Sequence, residues 1–181
     1  MSLHFLRLAV LLPFLVLGLS PGSVEAQAVK ADSPTQLRGA PVSVIGEVGG
    51  PAGGYTLGVE HLFVRTSAFQ LGMYAGGSYG RRLIWDGTSR AVTAGIISIH
   101  QIGSIGAQPL ALEGGLGATR IHSEFDSGNS NWTTSYRPYV SGALRVESEE
   151  GRFAYRIGVV AFSGEHDTVF LLPVLGLRVG L

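Results

Sequence analysis

No cysteine occurs among the 181 residues, so neither a disulfide framework nor a thiolate metal site can be built. Lysine is nearly as scarce, with Lys30 its one occurrence. Thirteen basic residues balance thirteen acidic ones for a formal charge of zero, so no long-range field gathers nucleic acid or an anionic surface. No nucleic-acid partner is expected. The apolar run LAVLLPFLVLGL at 8–19 stops at 12 residues, whereas a spanning helix needs about 20. Beyond it no segment shows a persuasive 3.6-residue apolar period, so helix is nearly absent from the expected fold.

What the chain does have is an amino-terminal export pattern followed by sustained alternation. Residues 1–26 read as a signal peptide: Arg7, the apolar run, then SPGSVEAQA with Val24 and Ala26 at the positions a signal peptidase reads. Cleavage is expected after Ala26, with Ala28 as the alternative. Residues 27–40, QAVKADSPTQLRGA, carry turn-type clusters without periodicity and read as a flexible leader. Residues 41–181 then form one domain of eight extended runs, near 41–49, 54–65, 69–79, 90–101, 107–123, 134–148, 152–163 and 168–180.

The connections alternate in length. RTSA at 65–68, IGSIG at 102–106 and SEEG at 148–151 are tight, whereas RRLIWDGTSR at 81–90 and EFDSGNSNWT at 124–133 are longer and polar. Outer-membrane barrels share this asymmetry, with an even strand number and strands of about 10 residues. The sequence therefore predicts an all-β, eight-stranded, antiparallel up-and-down transmembrane β-barrel.

A period of two assigns every side chain of a strand to one face. In GRFAYRIGVVAF at 151–162, Phe153, Tyr155, Ile157, Val159 and Ala161 oppose Ala154, Arg156, Gly158 and Val160. Residues 54–65 set Tyr55, Leu57, Val59, His61 and Phe63 against Thr56, Gly58, Glu60, Leu62 and Val64. The face opposite the bulky one is mostly Gly, Ala and Ser with a charge or two per strand. A soluble protein would instead place Lys, Glu, Asp and Thr there. Small residues beside a few large ones suit the narrow interior of an eight-stranded barrel, so the bulky face is expected to meet lipid. VTAGIISIHQ at 92–101 is apolar on both faces and has no legible orientation. Tyr55, Phe63, Phe69, Phe153 and Tyr155 fall near strand ends on the bulky face, where aromatic girdles lie.

By the same alternation Glu47, Glu60, Glu113 and Glu147 share the lumen with Arg137, Arg145, Arg156 and Arg178. Buried ions are tolerated only when paired. With the 124–133 loop centred near 128 or 129, positions summing to about 257 face each other and Glu113 falls opposite Arg145. The last hairpin sets Arg156 diagonally from Arg178, with Glu60 as the acid they share. A cluster of Glu60, Glu113, Arg145, Arg156 and Arg178 is predicted, filling and fixing the barrel; a gated pore or proton path is the functional alternative.

The stretch VIGEVGGPAGGYTLGVEHLF, the glycine-rich alternating strands and the closing PVLGLRVGL resemble small porin-like outer-membrane β-barrel proteins of Gram-negative bacteria, the OmpA/OmpX-like class. The resemblance covers about residues 41–181. It implies an eight-stranded barrel set in outer-membrane lipid by the barrel-assembly machinery, and it offers no catalytic residue to carry over.

Enzyme chemistry finds little support. Lipid A deacylases are similar in size and class, but they use a His and a Ser two positions apart, whereas His122 and Ser123 are adjacent and fall on opposite faces. His61 and His100 have no metal-ligand spacing, and GGLGATR at 114–120 precedes no helix that could hold a phosphate. No catalytic residue, cofactor or metal site is assigned. The expected role is structural or interactive within the envelope. A small channel or apolar-ligand carrier is the alternative, and a lipid A-modifying enzyme or a soluble lipocalin-like barrel stands further off.

Overall fold

The computed structural model describes residues 36–81, 88–124, 132–163 and 169–181. The signal peptide, residues 27–35 of the leader and most of the two long connections lie outside the described residues. Eight strands follow one another: β1 Val42–Gly49, β2 Gly54–Arg65, β3 Phe69–Arg81, β4 Thr88–Ile105, β5 Gln108–Glu124, β6 Trp132–Glu147, β7 Phe153–Ser163 and β8 Val169–Gly180. They form a closed barrel in chain order, and β1 returns to pair antiparallel with β8 through Val44 opposite Val179 and Glu47 opposite Gly176. Closure leaves no sheet edge, the condition for a strand protein to cross lipid.

The alternation read from the sequence orients the wall. Leu57 is 68 % exposed and Tyr155 63 %, both pointing outward, while Glu60 and Arg145 between such positions are shut inside. Tyr155, Ile157 and Val159 face outward and Arg156 faces in. This surface is the inverse of a soluble barrel's, with the apolar face outward and the charges inside.

Several strand ends differ from the expected limits, β3 reaching Arg81 and β4 beginning at Thr88 among them. β4 runs on to Ile105 through a bulge between Gln101 and Gly103. The extra residue shifts the register and hides the period-two signal. The β4–β5 connection then shrinks to a tight turn at Gly106, whose φ of +62° is a hairpin conformation that suits glycine. At the other end β6 begins at Trp132, so that residue belongs to the wall rather than to a loop.

Glycine is abundant because the lumen is narrow. Tyr74 lies over Gly58 and Gly76, Tyr139 over Gly95 and Gly117, and the Arg156 stem over Gly176, each so close that an added Cβ would collide. Large inner side chains fit only where a neighbouring strand offers none.

Both mouths are occupied. At the loop end the β1–β2 connection dips inward: the Thr119 hydroxyl donates to the Pro51 carbonyl at 2.8 Å, and Ala52 packs with Ala91 and Ile121. At the turn end residues 37–40 close the opening. Leu37 joins an apolar cluster with Ile45, Leu62, Tyr74, Ile97, Ile99 and Ala111. Its amide donates to the Ser67 carbonyl at 3.2 Å, and the Leu62 amide donates to the Pro41 carbonyl at 2.7 Å. The described end of the leader is therefore fixed to the barrel, because its backbone groups complete those of the strand ends.

Candidate functional site in the barrel lumen

The lumen charges come from six strands. β1 supplies Glu47, β2 Glu60, β5 Glu113, β6 Arg145 and Glu147, β7 Arg156 and β8 Arg178, and each points inward because it shares parity with the small residues of its strand. Arg145 stands at the centre. Its Nη1 lies 3.0 Å from Glu113 Oε2 and 3.3 Å from Glu60 Oε2, and its Nε lies 3.3 Å from Glu147 Oε1. Arg156 bridges Glu113 and Glu47, the latter at 2.7 Å. Arg178 reaches Glu60 at 2.8 Å and Glu147 at 3.7 Å.

Three guanidiniums thus meet four carboxylates, and neutral donors supplement them. The Tyr74 hydroxyl donates to Glu47 at 3.4 Å, and the Arg38 amide donates to Glu147 at 3.3 Å. Arg178 Nη2 donates to the Ala40 carbonyl at 2.6 Å. Each ion is shared among at least two partners, which offsets the several kcal/mol lost when such a group leaves water.

Several details differ from the sequence reading. The β5–β6 ladder sums to 256 rather than 257: Glu113 faces Ala143, Arg145 faces Ala111, and the ion pair forms along the diagonal. Arg156 and Arg178 are diagonal neighbours, each facing a residue two positions from the other across β7–β8. Glu60, however, serves Arg178 and Arg145, while Arg156 turns to Glu113 and Glu47. Glu47 and Glu147 join the cluster because contacts across the lumen do not follow ladder neighbours. Arg137 stands apart. It is half-buried near the loop-end mouth beside Pro51, Phe162 and Leu172, where only about 20 Å³ of space remains, and no acid pairs with it among the described residues.

On the outer wall His122 Nδ1 lies 2.9 Å from the Thr134 hydroxyl. The His100 ring packs tilted against Phe69 at 4.8 Å. No group of three or more metal-ligating side chains occurs among the described residues. The cluster is built to hold charge in place, each carboxylate being engaged by at least one guanidinium.

No protein-family model and no curated relative matches the sequence. Among solved structures, the N-terminal β-barrel domain of Pseudomonas aeruginosa OprF aligns at a TM-score of 0.50 and 14 % identity, over 78 % of this chain and 98 % of that one. The chain has the eight-stranded outer-membrane β-barrel fold. At so low an identity the likeness bears on the fold alone. The attachment invasion locus protein Ail of Yersinia pestis aligns at a TM-score of 0.49 and 14 % identity, over 76 % of this chain and 93 % of that one. Neisserial surface protein A aligns at 0.45 and 13 %, over 77 % and 93 %. In this barrel the apolar outer wall and the charged lumen are two consequences of one alternation.

Proposed function

We propose that the protein is an exported outer-membrane barrel, closed through its lumen by its own side chains, that serves envelope integrity or surface contacts rather than solute passage or catalysis. One observation carries the reading: Arg145, buried in the lumen, is held by three carboxylates from three strands. Small barrels are filled by their own side chains, and here the filling is ionic, flanked by apolar clusters. Val160, Phe162, Leu172, Val174 and Tyr139 pack together toward the loop end, and in the Leu37 cluster Tyr74, Ile99 and Ala111 stand opposite Glu60, Glu113 and Arg145 in the ladders. Its immediate partner in this reading is outer-membrane lipid, into which the barrel-assembly machinery places it after removal of residues 1–26.

Two measurements test this. The expressed full-length chain should sediment with outer membrane and show heat-modifiable gel migration. In a planar bilayer the folded barrel should carry no steady conductance. A monomer stable without detergent would remove the membrane reading, and a wild-type conductance would replace the closed barrel by a channel.

A further inference from the structure

Arg145, Arg156 and Arg178 each meet at least two carboxylates, whereas Arg137 meets none among the described residues. It has the inward parity of β6 and lies half-buried, directly opposite Thr119 and eight residues beyond Arg145 toward the loop end. That interval is about 27 Å along the strand, so the carboxylates that hold Arg145 do not serve it. The Thr119 hydroxyl across the ladder is committed elsewhere, donating to the Pro51 carbonyl at 2.8 Å and standing 3.0 Å from Thr93 Oγ1. A guanidinium drawn partly out of water is stabilised only when an acceptor replaces what it has lost. For Arg137 the described residues supply none.

The surroundings of Arg137 select the missing partner. It lines a pocket at the loop-end mouth where two apolar clusters meet, Ala52 and Ile121 from one and Phe162 and Leu172 from the other, with Pro51 beside them. The pocket has a volume of about 20 Å³, and a single water needs roughly 10–15 Å³. Two oxygens therefore fit where the four of a sulfate or phosphate do not. A carboxylate presents two oxygens in one plane, and the arginine fork meets such a pair through two parallel hydrogen bonds. The apolar walls suit a hydrocarbon stem, and they would leave the hydroxyls of an acidic sugar unpaired.

We infer that the loop-end mouth is a binding site for a small carboxylate on a hydrocarbon stem, with the carboxylate on Arg137 and the stem against Pro51, Phe162 and Leu172. Charge and the fork select the anion, the narrow space selects its shape, and the walls select the stem. The inference follows from the closed barrel and does not rest on the reading that the outer wall meets lipid.

The test is NMR of the full chain, folded in a neutral detergent with isotope-labelled arginine and titrated in turn with hexanoate, hexanamide, acetate and sulfate. The Arg137 Nε–H resonance, assigned by its loss in Arg137→Gln, should shift saturably with hexanoate while those of Arg145, Arg156 and Arg178 stay still. Hexanamide and sulfate should bind at least about ten-fold more weakly, the scale of a lost charge-assisted hydrogen bond. Acetate, which lacks the stem, should bind at least about five-fold more weakly. In calorimetric titrations Arg137→Gln should lose the hexanoate signal, and Arg137→Lys, which keeps the charge without the fork, should weaken it. Equal responses to hexanoate and sulfate, or to hexanoate and hexanamide, overturn the inference, as does undiminished hexanoate binding by Arg137→Gln. It is also overturned if Arg137→Gln lowers the urea midpoint as far as Glu113→Gln does, since Arg137 would then be half of a structural ion pair. The wild-type titrations stand even where a variant fails to fold. Heat-modifiable migration of the same samples reports the barrel separately, so a failed titration of a folded barrel leaves the membrane reading intact.

Discussion

Arg145 and Arg156 stand directly opposite one another in the β6–β7 ladder, two like charges at the closest cross-strand position, and Glu113 on β5 holds both, one through each carboxylate oxygen. Like charges directly opposite are destabilising. Glu113 therefore does more than pair with each: it makes their adjacency tolerable. Glu113→Gln should destabilise the barrel by about 3–5 kcal/mol, the range for removing one partner of a buried pair. Adding Arg156→Gln to it should cost less than that change costs alone, because the repulsion from Arg145 is relieved even though Glu47 then keeps only the Tyr74 hydroxyl. Urea unfolding in lipid vesicles, followed by the gel shift of the folded form, measures both. A double variant less stable than the sum of the two single changes would contradict the sharing.

The outward orientation of β7 makes a second prediction. Ile157 sits near the middle of the strand and is 60 % exposed. Arginine at the midplane of the lipid face is unfavourable by about 2–4 kcal/mol, so Ile157→Arg should lower folded stability in vesicles by that amount. Next to it in the chain, Arg156 is native and shut inside. A neutral outcome for Ile157→Arg would mean that the wall does not meet hydrocarbon.

The glycine seats of the inner aromatics give a third. A Cβ at Gly95 would collide with the Tyr139 hydroxyl and the Leu116 carbonyl. Gly95→Ala should destabilise by about 1–3 kcal/mol through overpacking. In a Tyr139→Phe background the loss should shrink without vanishing, since the carbonyl contact stays. The coupling between the two sites, read from a double-mutant cycle, is the measurement.

How much of this was legible in the sequence depends on whether the two faces of a strand differ chemically. β2 and β7 alternate bulky with small or charged residues, so Tyr55 and Tyr155 declared the outside and Glu60 and Arg156 the inside. β4 did not. Its inner Ile97 and Ile99 pack into the apolar cluster with Leu37 and Leu62, while its outer Val92 and Ile96 lie exposed on the apolar outer wall. An apolar lumen layer opposite an apolar outer wall erases the period. The set of lumen charges followed from parity alone, but their partners did not. Arg156 pairs with Glu47 on β1, although β8 lies between them, because the barrel is narrow enough for side chains to meet across it. Arg137 has the parity of the cluster but lies too far toward the loop end to join it. The anchoring of residues 37–40 left no mark on hydropathy either, since it runs mainly through backbone groups.

That anchoring gives a fourth prediction, which separates the two closures of the turn end. Leu37→Ala should lower stability by about 2 kcal/mol, the small end of the range for a buried leucine, since Leu37 lies in an apolar cluster at the rim. Deleting residues 27–40 should cost more, because Glu147 then loses the Arg38 amide and Arg178 loses the Ala40 carbonyl. Neither change touches the core of the cluster: Arg145 keeps Glu60, Glu113 and Glu147. Bilayer recordings of the deletion variant should therefore stay silent despite its lower stability. Steady conductance from that variant alone would show that the leader, and not the ion cluster, is what bars the lumen.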